Sequence, residues 1–395
     1  MSNIREFRVV QEKSNNGKEF SDKIKKHRLT GFFTKLGIVI FILLVIGLIF
    51  FQYKNQTFTS AVIVSQIDRN NVEGTSFLEN DGNIITYSKD GISSTDAKGK
   101  ALWNMTYEMQ NPIVRKSTGI VAVGDYNGHI IYLIDGKGTT SEIDTNLPIR
   151  NFTVSSAGVV ATVLEDNHNS WVTVYNREGT KIAEAKATMS KTGYPMAVTL
   201  SGEVMGVSYF YVDSDTMKSS VTYYNFGGVG ENTADHIVSS YDYADAVVPV
   251  LEFLDDQTSF AVADSRIMFF SGSKKPTGVA DVLLNEEIQG VYYGDTYAGL
   301  LFYDATGTAK YRLDIYSSDG KKQLSYFFDM DFKDILIRND EIVIYNEGQC
   351  IVIGMNGREK YTGSFSSNVL YIAPTNSPKK FILVKEDTLE TIELK

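Results

Sequence analysis

The sequence predicts an all-β fold: a β-propeller of eight four-stranded blades, preceded by a single N-terminal transmembrane α-helix. Three observations lead there. Sixteen consecutive residues near the N-terminus, Leu36–Phe51, carry no polar side chain. From residue 60 onward helical periodicity disappears, and short runs of β-formers are broken by Gly, Asp and Asn. Those runs recur about every 42 residues, the length of a four-stranded propeller blade.

Composition sets the outer limits. With 43 % hydrophobic and 22 % charged residues, the chain is neither disordered nor collagen-like. One cysteine, Cys350, rules out an intrachain disulfide and any cysteine-cluster metal site. A net charge of −10 argues against nucleic acid as a partner.

Residues 1–35 form a basic tail in which nine Lys and Arg face four acids. Lys23, Lys25, Lys26, Arg28 and Lys35 lie close to the apolar run, where positive charge holds a segment on the cytoplasmic side. The transmembrane helix is placed at 36–53. Fourteen residues of the run Leu36–Phe51 are Leu, Ile, Val or Phe, which favours insertion by about 4 to 8 kcal/mol. Tyr53 adds an interfacial aromatic. A cleaved signal peptide is the competing reading, but the 35-residue leader and the apolar core are both long for one. The expected location is the cell membrane, crossed once, with the N-terminus cytoplasmic and the C-terminal domain extracellular. A large exterior domain without paired cysteines fits a Gram-positive surface.

The propeller is placed at 60–395. Aligning the first apolar residue of each recurring strand (Ile84, Ile120, Val159, Val204, Phe260, Leu300, Ile342, Phe381) yields steps of 36, 39, 45, 56, 40, 42 and 39 residues. The 56-residue step keeps seven blades as the alternative. Five times the next strand ends in a Gly-containing turn, at 96–100, 135–138, 176–181, 319–322 and 356–359. In such hairpins Asp or Asn accepts local hydrogen bonds and Gly takes a positive φ. The last unit has only three strands, near 369–373, 381–384 and 389–394. The unassigned run Ser60–Ile67 is therefore expected to supply its outer strand and close the ring.

The turns resemble those of quinoprotein-like (PQQ-like) β-propellers, with Asp96-Ala-Lys-Gly-Lys-Ala-Leu-Trp103 the nearest copy. The order of basic tail, one anchor and exterior propeller resembles a family of uncharacterised single-pass membrane proteins from Gram-positive bacteria. The first resemblance implies the fold; the second brings no activity with it. Enzymatic quinoproteins use an adjacent cysteine pair and a calcium-binding carboxylate set. Cys350 stands alone in an apolar strand pattern, so no quinone cofactor is expected.

No metal, cofactor or catalytic residue is assigned. The four histidines lack metal-ligand spacing. Ser271-Gly-Ser-Lys274 and Ser377-Pro-Lys-Lys380 read as turns, and Asp213-Ser-Asp215 and Asp329-Met-Asp331 are incomplete as calcium loops. Candidate binding residues sit instead in long loops on one face of the ring. They are Asp166 and His168; Tyr209, Tyr211, Asp213 and Asp215; Asp304; and, in links between blades, Tyr194, Tyr241 and Tyr243. Tyrosine beside carboxylate is a common recognition composition.

The function expected is a membrane-anchored extracytoplasmic module for binding or scaffolding at the cell envelope, without enzymatic activity. Its partners are the bilayer, through one helix, and a protein, a peptide or a neutral glycan. Ten basic and four acidic residues precede residue 60, which leaves 28 basic and 44 acidic beyond it, a net of −16 that disfavours polyanions. The alternatives are a surface carbohydrate hydrolase or lyase using Asp213, Asp215 or Asp304, and a ligand sensor read out through the tail.

Overall fold

The computed structural model describes residues 16–69, 73–166, 169–187, 193–338, 340–375 and 377–395. The chain divides into two compact units at Gln56/Thr57.

The first unit contains one helix, α1 (Asn16–Lys54). Its start lies twenty residues before the apolar run, so the basic segment 16–35 is helical. No proline interrupts residues 16–35, and Lys and Arg are good helix formers. The Thr34 hydroxyl returns a hydrogen bond to the Thr30 carbonyl at 2.8 Å. The stretch Ser21–Leu48 is long and apolar enough to cross a membrane. Every side chain described within it is exposed. Lys23, Lys25, Lys26, Arg28 and Lys35 lie on this helix, as do Leu36, Phe51 and Tyr53.

The second unit is an eight-bladed propeller. Seven antiparallel sheets of four strands follow one another along the chain at 76–106, 112–144, 149–187, 194–244, 250–283, 290–328 and 334–364. Within each blade the strands are hydrogen-bonded in sequence order, from a first strand at the axis to an outer strand at the rim. First strands of successive blades from two to five approach one another, as do those of blades six and seven and of blades eight and one. The residues aligned in the sequence fall at the second strands, with Val159 one position ahead of its strand. Those strands are buried on both faces: Thr258–Ala263 and Glu341–Tyr345 have no exposed residue. They therefore read as continuous apolar runs. Outer strands such as Ala101–Thr106 are half exposed and alternate. The hydrophobic cores lie between blades, as where Tyr223 and Val221 of blade four meet Leu251 and Phe270 of blade five.

The 56-residue step has a local cause. Blade four has strands of eight to ten residues, and two short 3-10 turns at Gly230–Asn232 and Ala234–His236 are inserted before its outer strand. One blade is enlarged and none is missing, so eight stands and seven does not.

The ring closes as expected. Blade eight takes three strands from Val369–Leu394 and its outer strand from Ala61–Asp68, which pairs antiparallel with Thr388–Leu394 from Ala61↔Leu394 to Asp68↔Thr388. Thr59 and Ser60 donate backbone hydrogen bonds to the Lys395 carbonyl at 2.9 and 3.0 Å, and Lys395 returns one to Ser60 at 2.8 Å. Past the clasp, Arg69 donates to the Lys385 carbonyl at 2.6 Å and lies 5.0 Å over the Phe77 ring of blade one.

The five Gly turns join each blade to the one before it. A Cβ on Gly99 would stand 2.9 Å from Ile67, on Gly138 2.5 Å from Trp103, on Gly320 2.3 Å from Ala280. Gly179 and Gly357 make the same approach to Glu142 and Leu324. Each neighbour belongs to the outer strand of the preceding blade. At Gly138 (φ +83°) the turn thus needs glycine twice, for its backbone and for the room it leaves the indole.

Candidate functional site

Strand direction gives the ring two faces. Loops between second and third strands, together with the links between blades, lie on one face, here the link face. Turns between first and second strands lie on the other, the turn face. The candidate residues are expected on the link face, and the structure divides them.

Asp166 is a loop organiser. Its carboxylate accepts from the Asn169 amide at 2.9 Å and from the Trp171 indole at 3.4 Å. His168 lies outside the described residues. Tyr194 opens the first strand of blade four and is half-buried. Tyr209 is not a loop residue. It lies within a strand, is buried in the core between blades three and four, and shares a 2.9 Å hydrogen bond with the Tyr224 hydroxyl. Tyr211 is half-buried one turn of the pleat further on. Asp213 and Asp215 flank the exposed tip of that long hairpin, and Asp213 is held by Lys218 at 2.7 Å. Tyr241 and Tyr243 belong to the outer strand of blade four, Ile237–Ala244, and not to the link after it. Tyr241 packs on Phe270 of blade five and accepts from the Gly278 amide at 3.0 Å. Tyr243 carries Arg266 over its ring at 5.7 Å. The sequence reading places both in a link; in the structure their rings face blade five.

Asp304 shapes its own loop. Its two oxygens accept from the amides of Thr306, Thr308 and Ala309 at 3.0, 2.8 and 3.0 Å. These backbone donors lower its pKa to about 2. Asp213 and Asp304 sit on blades four and six, with blade five between them. Among the described residues no three His, Cys, Asp or Glu side chains converge on a metal position. Cys350 is buried in the core between blades seven and eight, where burial raises its thiol to about 12.

Two groups on the link face are built for contact. The first joins three blades. Arg150, at the start of the first strand of blade three, donates to Glu165 at 2.7 Å and to the Tyr126 hydroxyl at 3.1 Å, and its guanidinium stacks 5.3 Å from the Tyr126 ring. Tyr194 stands beside them; burial, with Glu165 adding, raises its phenol. The second is an aromatic shelf on blade six. Tyr303 is 58 % exposed and stacks on Tyr311 at 5.7 Å and 25°. Tyr311 in turn rests on Phe328 at 5.3 Å and edge-on against Phe332 at 5.2 Å. Lys310 lies over Tyr311 and pairs with Asp331. Tyr126, Arg150 and Tyr311 were not among the sequence candidates. The repeat alignment held the signal for Tyr126: Tyr126-Asn-Gly128 occupies the same second-to-third-strand position in blade two as Asp166 does in blade three. Arg150 and Tyr311 fall inside strands and carried no such mark.

A family model described as Family of unknown function (DUF5711) matches residues 54–394. The comparison with curated proteins finds no match. Among solved structures, BamB from Moraxella catarrhalis is similar with a TM-score of 0.50 and 10 % identity, over 85 % of this chain and 98 % of that one. AztD from Citrobacter koseri is similar with a TM-score of 0.53 and 12 % identity, over 75 % of this chain and 87 % of that one. At such identities the likeness concerns the fold alone.

Proposed function

We propose, starting from the fact that the chain belongs to the Family of unknown function (DUF5711), that it is a membrane-anchored extracytoplasmic binding module. In this reading residues 1–35 are cytoplasmic, 36–53 span the bilayer once, and the propeller of 60–395 stands outside at the cell envelope of a Gram-positive bacterium. The basic residues of the tail support that orientation, and the length and apolar composition of α1 support the span. The Gly turns and Trp103 support kinship with quinoprotein-like propellers at the level of fold.

The link face is the recognition surface, and the observation that carries this is the shelf of Tyr303 and Tyr311. An exposed ring held by a second ring, on a loop fixed by Asp304, offers stacking area at little entropic cost. The Tyr126–Arg150 stack supplies a second station with hydrogen-bonding capacity. Such a surface suits a protein, a peptide or a neutral glycan, and binding without turnover is its work.

The test is cross-linking of the full-length protein in native membranes, followed by identification of what is captured. Tyr303→Ala combined with Arg150→Ala should abolish capture of a partner that the wild type retains. Capture unaffected by the pair would refute the link face. Protease added to intact cells should remove the propeller; a protected domain would refute the orientation.

A further inference from the structure

The ring encloses a cavity of about 630 Å³ on its turn face, opposite the surface just described. Its wall is made from the first strands, and the turns that follow them, of blades one to six. Three features of that wall point the same way.

The first is a carboxylate without an ion pair. The three carboxylates fully buried within the blades are met directly by cations. Asp314 has Arg312 and Lys322, both at 3.2 Å; Glu341 has Arg338 at 3.1 Å and Lys360 at 3.2 Å; Glu390 has Lys385 at 2.8 Å. Glu252, half-buried on the first strand of blade five, is met among the described residues by hydroxyls: Thr199 donates to it at 3.1 Å, and Tyr293 donates as well. Arg115 attracts it from a distance, but spends its donors on the Phe152 carbonyl, the Val114 carbonyl and Asn151. Burial raises the Glu252 carboxyl above the usual range, the mark of a charge whose lost hydration is not fully replaced. The second feature is the Tyr293 ring. It is 46 % exposed, lines the same cavity, and is braced 5.5 Å from Phe260. An aromatic face beside a carboxylate is a cation's environment. The third is the field. Glu79, Asp81, Asp256 and Asp295 also line the cavity, whereas Lys116, the lysine among its lining residues, lies 3.5 Å from Glu79.

We propose that this cavity binds an ammonium or guanidinium group, which pairs with Glu252 and lies against Tyr293. The volume takes the end of a linear amine, or one lysine or arginine side chain, and no folded segment. The cation comes either from a free amine or from a basic side chain of a peptide, and the chemistry at Glu252 is the same. Because the cavity and the link face lie on opposite sides of the ring, this assignment stands or falls separately from the reading above.

Calorimetric titration of the full-length protein in detergent micelles tests it, with spermidine in one arm and an acetylated lysine tripeptide in the other. Saturable binding that weakens with salt is expected in at least one arm; the tighter arm identifies the source. Glu252→Gln should weaken it roughly tenfold or more, the scale of losing a charged hydrogen-bonding partner. Tyr293→Lys, which brings an internal ammonium to Glu252, should abolish uptake, and it decides the matter if Glu252→Gln does not fold. The proposal is overturned if neither probe binds, or if both substitutions leave binding unchanged.

Discussion

At the scale of single residues, the ion pairs inside the blades set the sharpest expectations. Lys385 and Glu390 are 5 % and 7 % exposed and 2.8 Å apart. Replacing Lys385 by Met leaves the Glu390 charge buried alone, which should cost about 3 to 5 kcal/mol in denaturant unfolding. Lys385→Met with Glu390→Leu removes both charges and should recover most of that loss. Asp304 gives an expectation in pH. Its folded pKa is depressed to about 2 from an ordinary 3.8, so the stability it lends its loop is complete above 3.8 and fades as pH falls toward 2. The amide resonances of Thr306, Thr308 and Ala309 should titrate with a midpoint about 2; a midpoint at 3.8 would show that the carboxylate does not hold the loop.

At the scale of the element, the turn after the third strand couples sequence to ring geometry. Gly138 and Gly119 both have positive φ, at +83° and +76°, but only Gly138 touches a neighbouring blade. Gly119→Ala should cost about 1 to 2 kcal/mol for the backbone alone. Gly138→Ala should cost about 1 to 3 kcal/mol more, since its Cβ would meet Trp103 at 2.5 Å. Equal thermal shifts for the two variants would remove the inter-blade role. Turns of this kind were legible in the sequence because their chemistry is local: an Asp or Asn that accepts, a Gly that turns. Their contact with the preceding blade was not, because Trp103 and Gly138 come together only once two blades stack. The same division explains the candidate site. Asp304 lies in the loop where its sequence puts it, and there it holds the loop's own amides, while Tyr209, Tyr241 and Tyr243 fall within strands, because packing between blades three and four or four and five is not written in the local sequence.

At the scale of the molecule, ring closure rests on the strand Ala61–Asp68. A chain lacking residues 61–68 loses the whole ladder between that strand and Thr388–Leu394 and uncovers the latter's edge. Cys350 reports on this from the adjacent core. In the intact ring its thiol should resist alkylation; in the shortened chain it should react at the rate of an exposed cysteine, and continued protection would show that closure lies elsewhere. Eight blades were countable from the repeat because each second strand is a continuous apolar run. The enlarged blade four blurred the count without changing it, since its insertion lengthens one unit and leaves the order of strands intact.

The clasp also sets a timetable for biosynthesis. Ser60 and Lys395 are 335 positions apart yet hydrogen-bonded. At 5 to 20 residues per second the ribosome needs roughly 15 to 70 s to bridge that interval. Throughout it the earliest strand of the domain waits with Val62, Ile63 and Val64 unmatched, while seven blades assemble behind it. The newborn chain therefore carries a sticky leading edge for most of its making, and whatever shields that edge before the last thirty residues emerge decides how much of the protein matures.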